Sequence, residues 1–157
     1  MIRLSRMADY SVIAMSRLAQ RPDRQFTAAE LAHETALPQA TVSKILKLLS
    51  HAGLLTSQRG PRGGYSLAED AADIPVAHII AAVDGPIALT ECSSDGETSC
   101  NLESLCPTST AWKKINTAIN QALDNLTLAD LSAPDLIFPD PTRPVPAPTV
   151  IKQDERV

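Results

Sequence analysis

The stretch "PQATVSKILKLLSHAGLLTSQRGPRGGYSL", residues 38–67, decides the fold. Its first half spaces Val42, Ile45, Leu46 and Leu49 along one face of a helix, and Gly53 stands where such a helix stops. Pro38 takes the tolerated first-turn position of that helix. The second half changes period: "LLTSQR" and "YSL" read as short strands, with "GPRGG" as the tight tip between them. Just upstream, "FTAAELAHETAL" (26–37) opens with Thr27 and, three residues on, Glu30, a capping box that starts a short helix ending near Leu37. Two short helices joined by a tight turn make a helix-turn-helix. A glycine-tipped hairpin directly after it makes a winged helix.

Toward the N-terminus, "SRMADYSVIAMSRLAQR" (5–21) repeats Met7, Tyr10, Ile13, Ala14 and Leu18 as the stripe of an amphipathic helix. Beyond the hairpin, "DIPVAHIIAAVDG" (73–85) predicts a short helix over Val76, Ile79, Ile80 and Val83, closed by Gly85-Pro86. "STAWKKINTAINQALDNLTLADL" (109–131) reads as one long helix carrying Trp112, Ile115, Ile119, Ala122, Leu123 and Leu126. It offers more apolar surface than a small domain needs, so a dimerisation helix is expected. Residues 134–148 hold six of the twelve prolines, and the tail through Val157 is expected to be disordered. The fold class is therefore mainly α. The expected organisation is a winged-helix DNA-binding domain at 1–85, a cysteine loop at 86–108, a dimerisation helix region at 109–132 and a Pro-rich tail at 133–157.

At 157 residues and 44% hydrophobic, the chain suits one domain with an extension, and 3% aromatic content favours helices over sheets. "MIRLSRMADY" lacks the apolar core of a signal peptide, and no window reaches the roughly 18 apolar residues of a membrane span. A cytoplasmic protein is expected, in which thiols stay reduced and clustered cysteines bind metal or do redox chemistry. The net charge of −4 hides a division. Residues 1–65 carry nine Lys/Arg against four acids, whereas residues 66–157 carry five against fourteen. Such asymmetry points to a polyanion meeting the first half.

The second helix of a helix-turn-helix enters the major groove by its N-terminal residues. Here those are Gln39, Thr41, Ser43 and Lys44, which carry groups able to reach base edges, with Lys47 placed for phosphate. At the wing, Arg59 and Arg62 flank Gly60-Pro61, and Gly63 follows; arginine in a narrow minor groove is a recurrent use of such a tip. So few contacts give weak, salt-sensitive binding from one copy, so a homodimer on a palindromic double-stranded site is expected.

All three cysteines fall in "ECSSDGETSCNLESLCPTSTAW", residues 91–112. Cys92, Cys100 and Cys106 lie among polar neighbours, unlike core cysteines, and an odd number excludes a closed set of internal disulfides. The spacing Cys-x7-Cys-x5-Cys is wider than the C-x2–4-C knuckles of structural zinc. Small residues in the gaps (Ser93, Ser94, Gly96) let the loop wrap something larger than one ion, and thiolates are the natural ligands of iron–sulfur clusters. Spacing alone leaves zinc and a cluster both open.

"RLSRMADYSVIAM" near the N-terminus, "RGPRGGYSL" in the wing, "IAAVDG", and three cysteines before "AW" resemble the IscR/NsrR-like, Rrf-type family of winged-helix iron–sulfur transcription regulators over roughly residues 1–131. The resemblance implies a homodimer whose three cysteines hold a [2Fe–2S] or [4Fe–4S] cluster. "MIRLSRMADYSV" and "CNLESLCP" are most similar to the branch that regulates the SUF cluster-assembly operon. That branch implies repression of assembly genes when the cluster is loaded. Some members place a histidine three residues after the last cysteine, where this chain has Ser109. Others have an acid near the N-terminus that reaches the partner subunit's cluster, and Asp9 matches that position; Glu91, Glu97, Glu103, Ser109 or water are the alternatives. His33, His51 and His78 are read as helix residues away from the loop. Because the loop falls between the DNA-binding domain and the long helix, its order is expected to set the spacing of the two recognition helices, a coupling of ~1–3 kcal/mol. Nitric-oxide sensing or a reversible disulfide on the same fold are the alternative signals. No G-x-S-x-G, phosphate loop or paired acid/base set is present, so an enzyme is not expected.

Overall fold

A computed structural model describes residues 3–60, 63–93, 100 and 105–132, and of Cys92 only the backbone. Arg62, Glu97, Glu103 and the Pro-rich tail from 133 onward lie outside the described residues.

Helix α1 (Arg6–Ala19) begins where the Ser5 hydroxyl accepts from the Ala8 N–H and at the same time donates to Asp84 at 2.6 Å. Helix α2 (Ala28–Thr35) starts on the expected capping box: Thr27 Oγ1 accepts from the Glu30 N–H, and Glu30 accepts from the Thr27 N–H at 2.8 Å. The α2 end is a left-handed turn at Ala36 (φ 56°), where the Leu37 N–H returns to Ala32 and the Ala36 N–H to His33. Pro38 then caps helix α3 (Gln39–His51) from an extended conformation, one residue outside the first turn where the sequence puts it. Its carbonyl accepts from the Thr41 and Val42 N–H groups, so the ring sets the entry angle without occupying the helix. At the far end Gly53 (φ 80°) closes a Schellman motif, with the Leu54 N–H on Leu49 and the Gly53 N–H on Ser50.

Strands β1 (Leu55–Gln58) and β2 (Gly64–Leu67) pair antiparallel, Leu55 opposite Leu67 and Gln58 opposite Gly64. Phe26 extends the pair: its N–H and C=O exchange hydrogen bonds with Tyr65 at 3.0 and 2.8 Å. The wing is thereby tied to the entrance of α2. Gly64 allows that closeness, and Gly63 allows the tight return of the hairpin itself. A Cβ on Gly64 would sit 2.8 Å from the Phe26 carbonyl oxygen, and one on Gly63 would run into the Gln58 carbonyl.

Val42, Ile45, Leu46 and Leu49 of α3 are all buried, together with Ala14, Met15 and Leu18 of α1, Phe26, Leu31, Leu55, Ile74, Ile79 and Leu128. The α1 stripe is broader than the periodicity indicates. Met15 and Ala8 are fully buried, while Met7, Tyr10 and Ile13 are half-buried, because α1 packs against α2, α3 and the helices at Val76–Asp84 and Leu128–Leu131 rather than against one face. Ser11 is buried on this helix with its hydroxyl satisfied by the Met7 carbonyl at 2.6 Å.

Helix α4 (Val76–Asp84) buries Val76, Ala77, Ile79 and Ile80 and ends at Gly85, as expected. The region 109–131 is not one helix. Helix α5 (Ser109–Asp124) stops at the Asn125 cap, and α6 (Leu128–Leu131) restarts on a second capping box, Thr127 with Asp130. The break lets the chain turn back: the Val76 N–H bonds the Leu126 carbonyl and the Leu128 N–H bonds the Ile74 carbonyl, both at 2.8 Å, seating Leu128 in the main core.

Candidate nucleic-acid interface and cysteine segment

At the start of α3, Gln39, Lys44 and Lys47 are exposed, whereas Thr41 and Ser43 are half-buried. Arg59 is exposed at the end of β1 on the wing. Two other cations of the basic half are held by their own chain. Arg17 meets Glu34 at 2.6 Å, and Arg24 bridges Glu30 and Glu34 at 3.0 and 3.1 Å with its guanidinium over the Phe26 ring. This network braces α1 against α2, so the sequence count overstates the charge that faces a polyanion.

The cysteine segment is joined to α5 by polar bonds. Asn116 is the only buried residue of α5. Its Oδ1 accepts from the Leu89 N–H at 3.1 Å and its Nδ2 donates to the Ser93 carbonyl at 3.4 Å. One turn later, Asn120 Nδ2 donates to the Ile87 carbonyl at 3.2 Å and to the Asn116 carbonyl at 3.1 Å. The backbone of Cys92 lies inside the stretch so held, in a 3-10 turn at Glu91–Ser93 closed by Thr90 Oγ1 and Ser93 Oγ at 2.7 Å. Cys106 is half-buried just before the N-terminus of α5, its Sγ 3.3 Å from Thr108 Oγ1. The Thr108 hydroxyl, then the Thr108 and Ser109 backbone N–H groups, hold its thiol below the ordinary range. Cys100 is also half-buried. His78 is exposed on α4 but is not remote from this segment: it lines a groove of about 220 Å³ with Ser93, Asn116, Asn120 and Asp124.

A sequence profile of the Rrf2 family, described as an iron-dependent transcriptional regulator, matches residues 4–134. The chain belongs to the Rrf2 family. The HTH-type transcriptional regulator IscR of Photobacterium profundum is 35% identical over 131 residues, covering 83% of this chain and 75% of that one. IscR of Yersinia pseudotuberculosis is 33% identical, with 83% and 79% covered. Among solved structures, CymR, the global cysteine regulator of B. subtilis, superposes with a TM-score of 0.66 at 28% identity over 84% of this chain and 97% of that one. T. potens IscR superposes at 0.64 with 29% identity over 83% and 85%. These relatives bear out the winged-helix fold and the Rrf-type resemblance. They make the chain an IscR-like DNA-binding transcriptional regulator rather than an enzyme. Among the described residues, no helix is long and apolar enough to cross a membrane.

The donor chemistry of this Rrf2 chain fits a thiolate-bound group. Cys106 has its thiol held below the ordinary range by the Thr108 hydroxyl, and the thiolate is the form that binds metal. Cys92 and Cys100 lie on the same polar segment. Asp9 is exposed in the first turn of α1, its N–H on the Ser5 carbonyl, and no group of three or more His, Cys, Asp or Glu side chains gathers among the described residues. Asp9 and the cysteines are thus not brought together within one copy's described residues. The sequence reading missed Asn116 and Asn120. Their signal was a pair of asparagines at helical spacing, four residues apart and four after Trp112, in a helix otherwise read by its apolar stripe.

Proposed function

We propose that the protein is a homodimeric, cytoplasmic transcription regulator that senses iron–sulfur status, with Cys92, Cys100 and Cys106 as the protein ligands of a [2Fe–2S] or [4Fe–4S] cluster and the partner subunit's Asp9 as the fourth ligand. In its loaded state it represses SUF iron–sulfur assembly genes. One observation carries the reading: a segment bearing all three thiols of the chain is anchored to α5 at one end by Asn116 and leads into α5 at the other through Cys106. The cluster would supply iron–thiolate bonds that form when iron and sulfide are plentiful and are lost under oxidant, nitric oxide or scarcity.

The chain's own residues do the rest. Gln39, Thr41, Ser43 and Lys44 meet base edges in the major groove, Lys47 meets phosphate, and Arg59 and Arg62 of the wing, shaped by Gly63, reach the minor groove. A palindromic operator matches two such faces. The apolar side of α5, with Trp112 at 40% exposure and Ile115 at 44%, is the surface a second copy would cover. Ordering the cysteine segment on α5 then sets how far apart the two α3 helices stand.

The test is an anaerobic purification with an absorbance spectrum and iron and sulfide counts, repeated on Cys106→Ala. The expected outcome is a brown protein with matched iron and sulfide that the substitution bleaches, after which Asp9→Ala is predicted to leave a more labile chromophore. A colourless protein under strict anaerobiosis, or one holding only zinc, would leave a thiol-sensing or zinc-bearing DNA-binding protein instead.

A further inference from the structure

Asn116 is a short polar side chain buried to 9% exposure on a helix whose other residues are half-buried or exposed. Burying an amide costs free energy unless both of its ends are paired. Both are, and both partners are backbone groups of one segment, Leu89 and Ser93. Asn120 adds a third attachment at Ile87 and a bond to the Asn116 carbonyl. Three attachment points at residues 87, 89 and 93 fix the chain on either side of the Cys92 backbone. No apolar contact has this directional specificity; a leucine at 116 would fill the space and leave the register of the segment free.

We propose that Asn116, supported by Asn120, is a positioning residue that clamps the Cys92-bearing segment to α5 and transmits the state of that segment to the helix. Apolar burial fixes the winged helix. The clamp fixes the cysteine segment relative to the surface of α5, and it does so through bonds that change of loop conformation can break one at a time. The transmission half of this inference rests on the cluster-sensing reading; the clamp half does not.

The experiment separates the two. Hydrogen exchange at the Leu89 amide is measured on the metal-free full-length protein for the wild type, Asn116→Leu, Asn116→Asp and the surface control Thr117→Ala. Asn116→Leu is expected to speed Leu89 exchange about tenfold or more, because the acceptor is gone. Asn116→Asp keeps that acceptor and loses only the donor to Ser93, so Leu89 stays protected, and Thr117→Ala changes nothing. Unchanged Leu89 exchange in Asn116→Leu overturns the clamp. Operator binding by loaded and metal-free forms is then compared. The wild-type ratio is expected to collapse to within about twofold of unity in Asn116→Leu while iron per chain and the thermal melt of the helical core hold, a loss on the scale of one coupling energy. A preserved ratio overturns the transmission role. Should the wild type itself show no ratio, the sensing reading and the transmission role fall together, while the Leu89 result still decides the clamp. If Asn116→Leu melts early, Asn120→Ala, which removes the Ile87 attachment and the bond to the Asn116 carbonyl but leaves those at Leu89 and Ser93, is expected to reduce the ratio part-way, and no reduction counts against the proposal.

Discussion

The two halves of the molecule are held by different physics. From α1 to the wing, position comes from burial: Met15, Leu31, Ile45, Leu46 and Leu49 are sealed from solvent, and the turns between the helices are closed by backbone bonds. From Pro86 to α5, Ile87 and Leu123 rest half-buried on Ala8, Val76 and Ile80, the amide bonds of two asparagines fix the segment's register, and Trp112, Ile115 and Leu126 remain open to solvent. The first arrangement is complete in a single chain. The second leaves apolar side chains of α5 exposed, on the face that the proposed second copy would cover.

The sharpest way to break this comparison is to truncate one residue in each half. Leu46→Ala removes a fully buried side chain from α3 and is expected to cost ~2–5 kcal/mol. Ile115→Ala, at a site 44% exposed, is expected to cost under about 1 kcal/mol in dilute protein but to weaken self-association. Denaturant melts at two protein concentrations, with sedimentation equilibrium, check both. Equal costs would mean that α5 belongs to the core.

A smaller effect is expected at the joint between wing and core. Gly64→Ala places a methyl 2.8 Å from the Phe26 carbonyl oxygen, so backbone must move, at about 1–3 kcal/mol. DNA affinity measured by fluorescence anisotropy falls with it, because the wing loses its tie to α2. An unchanged affinity with a lowered melt would confine the role of the wing to stability.

On the DNA face, Lys47→Ala is expected to lower the slope of log affinity against log salt by about one, whereas Lys44→Ala is expected to relax sequence preference. Arg17→Ala is expected to leave that slope alone, since Arg17 is paired with Glu34. A slope change at Arg17 would show that the ion-pair network opens on DNA.

The smallest effect is a gain. Ala36 holds a left-handed conformation (φ 56°) in the turn between α2 and α3, where glycine carries no Cβ penalty. Ala36→Gly is expected to stabilise by roughly 0.5–1 kcal/mol in a thermal melt.

What the sequence made legible follows the same division. The α3 face, its glycine stop and the Thr27–Glu30 box could be read because each is a local pattern with a local cause. The burial of Met15 could not, because it depends on α1 having several neighbours, and a single stripe encodes only one. The break at Asn125 was hidden by apolar residues that continue across it, Leu123, Leu126 and Leu128, although Thr127 and Asp130 repeat the spacing that marked α2. In the candidate site, the cysteines announce themselves by type and company. The asparagines that hold their segment do not, because their partners are backbone groups 23 to 33 residues away.

The most direct test is the affinity of the wild-type protein for one operator, recovered by in vitro selection, in the cluster-loaded state and after anaerobic removal of iron. A shift of about 5- to 150-fold that Cys106→Ala abolishes is the predicted result, the size of one coupling energy between two sites. Equal binding by the two forms would contradict the account and leave a winged helix whose cysteines serve something other than the control of DNA binding.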